Sequence, residues 1–247
     1  MRVLFALLFI SFIYGCEDTK NASAEKEKST SIPQTRDTIS NETTSSTASE
    51  KKETEETDET EPGFPVLTNE NAVAFFTQYG NKNPETTVKI STRLGDIYLE
   101  LNEDTPLHRA NFIYLVKRGY FSDTFFHRVV PDFIIQGGNS DLPSTNEKRA
   151  NIGPTYLLPA EINGRNVSYG SLVGAKEYRE NPDKKSAPFE FFIFLGPVSS
   201  TAHLNGNYTV FGTVTKGMDT VEKISELDSD EGEWPLQNVY ITAEVVR

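Results

Sequence analysis

The chain has 247 residues, of which 36% are apolar, and a formal net charge of −12. This negative charge argues against nucleic acid as the main partner, because binding to phosphates requires a basic surface. The single cysteine excludes an internal disulfide. Much of the acidity lies in residues 17–62, where 13 acidic and 6 basic residues give a charge of −7. The same residues hold few large apolar side chains, so the core must come from the rest of the chain, which is of ordinary single-domain size.

The N-terminal residues 1–16 are typical of a bacterial lipoprotein signal peptide. Arg2 is followed by an apolar run that is too short to span a bilayer but has the length of a signal-peptide core. The tetrapeptide IYGC at positions 13–16 resembles a lipobox. The resemblance implies a diacylglyceryl anchor at Cys16 and a domain held outside the cytoplasm, in the cell envelope. An uncleaved anchor and a secretory signal with an incidental cysteine are the alternatives.

Residues 17–62 contain no Phe, Tyr, Trp, Leu, Val or Met. Such a segment cannot bury enough apolar surface to offset the entropy of ordering, so it predicts a disordered acidic linker. A plain spacer and a partner-binding tail both fit this composition. The next segment, residues 63–83, predicts a short helix ahead of the main domain, with Asn69 and Asn71 as candidate capping residues and Gly80 as its end. We expect this helix to dock on the domain or to bridge to it.

The main domain is predicted to occupy residues 84–247. Apolar residues alternate on both sides of Gly95, which is typical of a β-hairpin with one buried face. The helix that follows has a capping residue in Thr105, a first-turn proline in Pro106 and an end signal in Gly119. Six further strands and a second helix are predicted at 125–130, 133–136, 170–175, 191–195, 209–214 and 239–246, and at 219–226. This pattern favours a closed or nearly closed antiparallel barrel.

Residues 126–138 have the sequence FHRVVPDFIIQGG, which closely resembles the signature of the cyclophilins. The likeness continues in order from about Thr87 to Val246 and is therefore more specific than a single motif. It implies a mainly β fold, a cyclophilin-like closed antiparallel barrel of eight strands with two capping helices, preceded by the signal peptide and the linker. It also implies peptidyl-prolyl cis/trans isomerase activity on X-Pro bonds of proteins that fold outside the cytoplasm.

Rotation about a peptide bond faces a barrier of about 18–20 kcal/mol. As an X-Pro bond twists, the proline nitrogen gains a lone pair that a fixed cation can hydrogen-bond, while an apolar pocket holds the ring. The resemblance makes Arg128 the catalytic cation. It assigns the proline pocket to Phe133, Ile134, Phe192 and Leu204, and contacts with the substrate backbone to Gln136 and Ala175.

Three further predicted substrate-binding positions depart from the family. Glu190 stands where glutamine is usual. Its carboxylate either pairs with Arg128, which would lower activity, or accepts a hydrogen bond from a substrate N–H, which would not. His203 replaces the tryptophan associated with cyclosporin binding, which predicts weak cyclosporin sensitivity, and Tyr208 replaces a histidine found in many members.

Two stretches, 140–166 and 176–188, are also unlike compact family members; the second either shapes the substrate groove or is a solvated loop. The histidines show no metal-ligand spacing, so neither a metal nor a cofactor is expected. The expected partners are proline-containing polypeptides and, through Cys16, the membrane, with the domain monomeric. The alternative function is a catalytically weak cyclophilin-like binding module or chaperone, with activity lost through Glu190.

Overall fold

The computed structural model describes residues 63–176 and 180–246. The predicted signal peptide with Cys16 and the acidic linker of residues 17–62 lie outside these described residues. Within the described part of the chain, no helix is both long and apolar enough to cross a bilayer. The same ranges contain no cluster of three or more histidine, cysteine or acidic side chains able to hold a metal.

The described residues form four α-helices and eight β-strands. The helices are α1 Ala72–Lys82, α2 Pro106–Lys117, α3 Pro143–Ile152 and α4 Met218–Ser225. The strands are β1 Thr87–Thr92, β2 Gly95–Leu101, β3 Phe125–Val130, β4 Ile134–Asn139, β5 Ser171–Gly174, β6 Phe191–Phe194, β7 Val210–Lys216 and β8 Thr242–Val245. Single 3₁₀ turns occupy Tyr120–Asp123 and Val198–Ser200.

All eight strands pair antiparallel in one sheet, in the order β3-β4-β6-β5-β7-β2-β1-β8. The sheet is an open half-barrel that ends at β3 and β8, so the prediction of a closed barrel is wrong. A bridge between Phe125 and Tyr240 and two neighbouring backbone hydrogen bonds join the residues before β8 to β3. β8 itself then pairs with β1. The two ends therefore meet at one point rather than along a ladder.

The two predicted capping helices correspond to α2 and α4, and α3 is an additional helix within the stretch 140–166. α3 is held against the turn after α2, because the hydroxyl of Thr145 donates to the carbonyl of Asp123 and Nζ of Lys148 donates to that of Gly119. Only Thr145 and Ile152 of α3 are buried. A helix without an apolar stripe has no regular spacing of apolar residues in its sequence, which is why this helix was not predicted.

α1 was predicted to end at Gly80 but continues to Lys82. Gly80 lies where α1 crosses α2, and a Cβ at this position would be 3.0 Å from the Cβ of Ala110. The buried guanidinium of Arg109 donates to the carbonyls of Gly80 and Asn83 at the end of α1. A cation at this end satisfies open carbonyls and is favoured by the helix dipole. The glycine therefore permits a close helix contact and does not stop the helix.

The N-terminus of α2 is capped by a residue that is distant in the sequence. Thr105, the predicted cap, donates its hydroxyl to the carbonyl of Asn102 and makes no side-chain bond to the helix. The carboxylate of Glu161 instead accepts hydrogen bonds from the amides of Leu107 and His108, each at 2.9 Å. Glu161 also lies 2.6 Å from Nδ1 of His108. An anion at this end of a helix is stabilised by the open N–H groups and the dipole.

The buried apolar side chains form two clusters. The larger one includes the inner face of the sheet, α1, α2 and α4. The smaller one contains residues from β4, β5 and β6 and from the loop before β7. The smaller cluster forms the floor of an open groove, and this groove holds most of the predicted site residues.

Phe76→Ala is expected to lower the free energy of unfolding by about 3–5 kcal/mol, because it leaves a cavity in place of a buried ring. Phe76 is 1% exposed and its ring centroid lies 5.9 Å from that of Tyr114 on α2. Val73→Ala, at an exposed position of the same helix, is the control and should change this energy by less than about 0.5 kcal/mol. Urea denaturation followed by circular dichroism measures both. Equal effects would show that α1 does not pack on the domain as described.

Candidate functional site

The cross-strand register places three predicted site residues side by side. Arg128 on β3 is opposite Gln136 on β4, and Gln136 is opposite Phe192 on β6. Residues directly opposite each other in antiparallel strands have their side chains on the same face of the sheet. A cation, an amide and an aromatic ring therefore form a row along the open groove.

The floor of the groove is apolar. Ile134, Phe192 and Leu204 are at most 4% exposed, and Phe133 is half-buried beside them. The ring of Tyr208 meets that of Phe192 edge-on, with centroids 5.7 Å apart. The structure thus brings together all four residues that were predicted to form the proline pocket. An open, apolar hollow beside a cation can hold a small ring and exclude water from one side of it.

Arg128 forms an ion pair that the sequence did not predict. Its Nε donates to Oε2 of Glu233 at 2.5 Å, and the Arg128 side chain is 34% exposed. Glu233 lies in the loop between α4 and β8, and its carbonyl also accepts a hydrogen bond from the amide of Val129. Glu233 is therefore attached to β3 at two consecutive residues, through the side chain of Arg128 and the amide of Val129. We infer that Glu233 positions the guanidinium through Nε.

The loop that carries Glu233 is shaped by two local interactions. The carboxylate of Asp230 accepts hydrogen bonds from the amides of Gly232 and Trp234. The ring of Trp234 packs against those of Phe125 and His127, with centroids 5.2 and 5.9 Å away. The sequence of this loop contains several acidic residues. No sequence pattern indicates which of them turns back towards Arg128, because that depends on the tertiary docking of the loop.

Glu190 does not pair with Arg128, so the first of the two predicted roles of this carboxylate is wrong. Its Oε2 accepts a hydrogen bond from Nε2 of Gln136 at 2.9 Å and lies 3.5 Å from Nε2 of His127. Its Oε1 lies 3.4 Å from Nη2 of Arg149 on α3. The unpredicted helix α3 thus supplies the cation that Glu190 contacts. The carboxylate in turn holds the amide of Gln136 beside the groove.

The surroundings of Glu190 keep it ionised. Burial by itself raises the pKa of a carboxyl, but the hydrogen bond and charge of His127, the charge of Arg149 and the hydrogen bond from Gln136 together hold the pKa of Glu190 below its ordinary value. Arg149 is itself fixed, since its Nε donates to the hydroxyl of Tyr120 at 2.8 Å. A fixed anion of this kind orients the groups that donate to it.

The remaining predicted residues line or border the groove. Ala175 lies on its wall, but its amide donates to the carbonyl of Glu190 and its carbonyl accepts from the amide of Ala187. Both backbone groups of Ala175 thus have partners already. The predicted hydrogen bond to a substrate can be made only by the second lone pair of the Ala175 carbonyl oxygen. His203 is exposed at the rim, with its ring centroid 5.9 Å from that of Phe133.

Lys176 is a groove residue that was named only as part of the stretch 176–188. It follows Ala175 and lines the groove. Its Nζ lies 4.3 Å from the centroid of the Tyr208 ring and donates to the carbonyl of Asn207 at 2.9 Å. The aromatic ring and the carbonyl both favour a cation at this point. The groove therefore contains two cations, one on β3 and one after β5.

Comparison with known proteins agrees with this geometry. The family described as "Cyclophilin type peptidyl-prolyl cis-trans isomerase/CLD" matches residues 87–246. A peptidyl-prolyl cis-trans isomerase of Acinetobacter baylyi is 38% identical over 146 residues, covering 58% of this chain and 73% of the relative. Peptidyl-prolyl cis-trans isomerase A of Dickeya dadantii is 34% identical over 157 residues, covering 62% of this chain and 78% of the relative.

A solved structure shares the fold. The cyclophilin-type isomerase of Cryptosporidium parvum, determined in the presence of the dipeptide Ala-Pro, superposes with a TM-score of 0.54 at 28% identity. The match covers 65% of this chain and 99% of the other. The part of this chain that lies outside the match is therefore additional to the shared domain.

Glu190→Gln is expected to lower the stability at neutral pH and to weaken its pH dependence. Because the pKa of Glu190 is lowered in the folded protein, its charge stabilises the fold above the ordinary pKa of 4.5, and this stability is lost as the pH falls through the folded pKa. The stability gap between wild type and variant should therefore narrow below pH 4.5. Urea denaturation at a series of pH values measures the gap, with the exposed Glu231→Gln as control. A gap that does not change with pH would contradict the assigned charge.

Proposed function

This chain belongs to the family of cyclophilin-type peptidyl-prolyl cis/trans isomerases and isomerises X-Pro peptide bonds, and we propose that Arg128 is its catalytic residue. The observation that supports this role is the row of Arg128, Gln136 and Phe192 along an apolar floor. In this arrangement the floor holds the proline ring, and the guanidinium lies beside the imide nitrogen.

The chemistry follows from the twisted state of the amide. As the C–N bond rotates, resonance is lost and the proline nitrogen gains a lone pair, which a guanidinium N–H of Arg128 hydrogen-bonds. Arginine suits this role because it is always charged and presents rigid donors. No proton is transferred and no covalent bond is broken. The interaction strengthens only as the lone pair forms, so it lowers the barrier and does not merely tighten binding.

Gln136 supplies the second part of the mechanism. Its amide is held by the carboxylate of Glu190, which is anchored in turn by Arg149. A substrate backbone that hydrogen-bonds to a fixed amide loses its orientational freedom when it binds. This entropy does not have to be lost again on the way to the transition state, so it does not add to the barrier. Glu190 thus acts through Gln136 as a positioning residue. The second predicted role of Glu190, acceptance of a hydrogen bond from a substrate N–H, stays a prediction.

A weak binding module without isomerase activity is not favoured by this geometry. That alternative required Glu190 to neutralise Arg128, and the two side chains have different partners. Glu233 does pair with Arg128, but both side chains are more than a third exposed. An ion pair in such contact with water is worth at most about 1 kcal/mol and does not block a ligand.

We further propose that the domain acts as a monomer outside the cytoplasm, on polypeptides that contain proline, while a lipid at Cys16 ties it to the membrane. The support for the anchor is the apolar run that ends at the single cysteine of the chain. The acidic composition of residues 17–62 supports a long, extended tether between the anchor and the domain.

Arg128→Ala is expected to lower kcat/KM by about 10²–10³-fold, the usual effect of removing one well-placed donor to a transition state. Binding of a proline peptide should change little, because the apolar floor remains. NMR exchange between the cis and trans forms of a short Ala-Pro peptide measures the rate, and titration with the same peptide measures the affinity. Arg165→Ala, which removes an exposed arginine paired with Asp104, is the control. Full activity of Arg128→Ala would exclude Arg128 as the catalytic residue.

Cys16→Ser is expected to release the protein from the membrane. Wild type and variant would be produced in bacteria that are fed a labelled fatty acid, and label should enter only the wild-type chain. Fractionation should then find the wild type with membranes and the variant away from them, because stable anchoring requires the acyl chains. Equal labelling of both chains would disprove the anchor without affecting the assignment of the isomerase.

A further inference from the structure

Two lysines converge at one edge of the groove. Nζ of Lys176 donates to the carbonyl of Asn207 at 2.9 Å, and Nζ of Lys184 donates to the carbonyl of the preceding residue, Gly206, at 2.7 Å. Lys176 also lines the groove beside Tyr208. Two positive charges therefore lie against the same short turn, next to the apolar floor.

The loop that carries Lys184 is held in a defined conformation. The side chain of Asn181 bonds to both backbone groups of Lys185, accepting from its amide at 2.9 Å and donating to its carbonyl at 2.8 Å. The amide of Lys184 donates to the carbonyl of Asn181, and Lys184 has a φ of 54°. A lysine rarely adopts this left-handed backbone, so the surrounding bonds must impose it. Lys184 is thus placed by its loop and does not simply project into solvent.

Neither lysine forms an ion pair with a carboxylate among the described residues. The neighbouring Lys185 differs, because its Nζ lies 3.5 Å from the carboxylate of Asp183. Burial lowers the pKa of Lys176, and the nearby charge of Lys184 lowers it further. Like charges that are fixed close together raise the local potential and attract an anion.

We propose that Lys176 and Lys184 form a subsite for an acidic residue of the substrate, near its proline. This inference rests on the proposed function, since the proline in the groove sets the position of the neighbouring residues. The centroid of the Tyr208 ring lies 5.7 Å from that of Phe192 on the pocket floor and 4.3 Å from Nζ of Lys176. Because an extended chain advances by about 3.3 Å per residue, an acidic side chain within roughly three residues of the proline is within reach of Lys176. The subsite makes acidic, proline-containing segments the preferred substrates of this chain.

The test uses the full chain and short peptides that contain one Ala-Pro pair. The peptides differ at one position, either before or after this pair, which is occupied by Glu, Gln or Lys. NMR exchange measures kcat/KM for each peptide. At low salt, we expect kcat/KM for the Glu peptide to exceed that for the Gln peptide by about three- to fivefold at one of the two positions. The Lys peptide should have a lower kcat/KM than the Gln peptide at the same position. The difference should disappear at about 0.5 M salt, because screening weakens exposed charge pairs.

Substitutions identify the charges responsible. Lys184→Glu should reverse the order of the Glu and Lys peptides, and Lys176→Gln should reduce the ratio between them. Lys185→Gln is the matched control: it removes a lysine of the same loop that already has an acidic partner, so the preference should survive. A preference that persists in both Lys184→Glu and Lys176→Gln would show that other groups cause it, and the subsite would be disproved.

The outcomes separate this inference from the proposed function. If the Gln peptides exchange normally but Glu and Lys peptides have equal kcat/KM at both positions, the subsite is disproved and the isomerase assignment stands. If the wild type accelerates no peptide, the proposed function fails. NMR titration then decides the subsite separately, and equal Kd values for Glu and Lys peptides would disprove it.

Discussion

The register between β3, β4 and β6 is the constraint on which the site depends. It places Arg128, Gln136 and Phe192 in one row on one face of the sheet. A slip of β4 by a single residue would turn the amide of Gln136 to the opposite face. Gly138 near the end of β4 helps to exclude such a slip, since its φ is 99° and a Cβ there would lie 2.1 Å from the carbonyl oxygen of Phe189. Only glycine fits this approach of two backbones.

Carboxylates from loops hold the elements around this row. Glu161 binds the first amides of α2, Glu190 connects Gln136 to α3, and Glu233 attaches the last loop to Arg128. Each of these carboxylates accepts hydrogen bonds from N–H groups that are far from it in the sequence. The contacts of Glu161 and Glu190 are partly shielded from water, where charge-assisted hydrogen bonds are stronger and more directional than on an open surface, whereas the pair of Glu233 and Arg128 is more exposed. They hold the walls of the groove, while its floor stays apolar.

The sequence predicted the parts of this protein that have a local or a family signal. The four pocket residues, Arg128 and Gln136 all belong to such patterns, and the structure brings them together. The same approach failed at Gly80, which was interpreted as the end of a helix although it lies inside one. A glycine that allows two helices to touch and a glycine that ends a helix look alike in a sequence. α3 was missed for a related reason, since it buries too few residues to leave a period.

The sequence by itself determined the family, the order of the main elements, the arginine of the groove and the apolar residues of its floor, because periodicity and motif depend on residues that are near each other in the chain. Only the tertiary structure decided that the sheet stays open and that Glu190 accepts a hydrogen bond from Gln136. It also decided that the ion pair of Arg128 is with Glu233 and not with Glu190. It further decided that two lysines of the stretch 176–188 contact one turn, at Gly206 and Asn207. These outcomes depend on which distant groups come within hydrogen-bonding distance after folding, and no spacing along the chain records that distance.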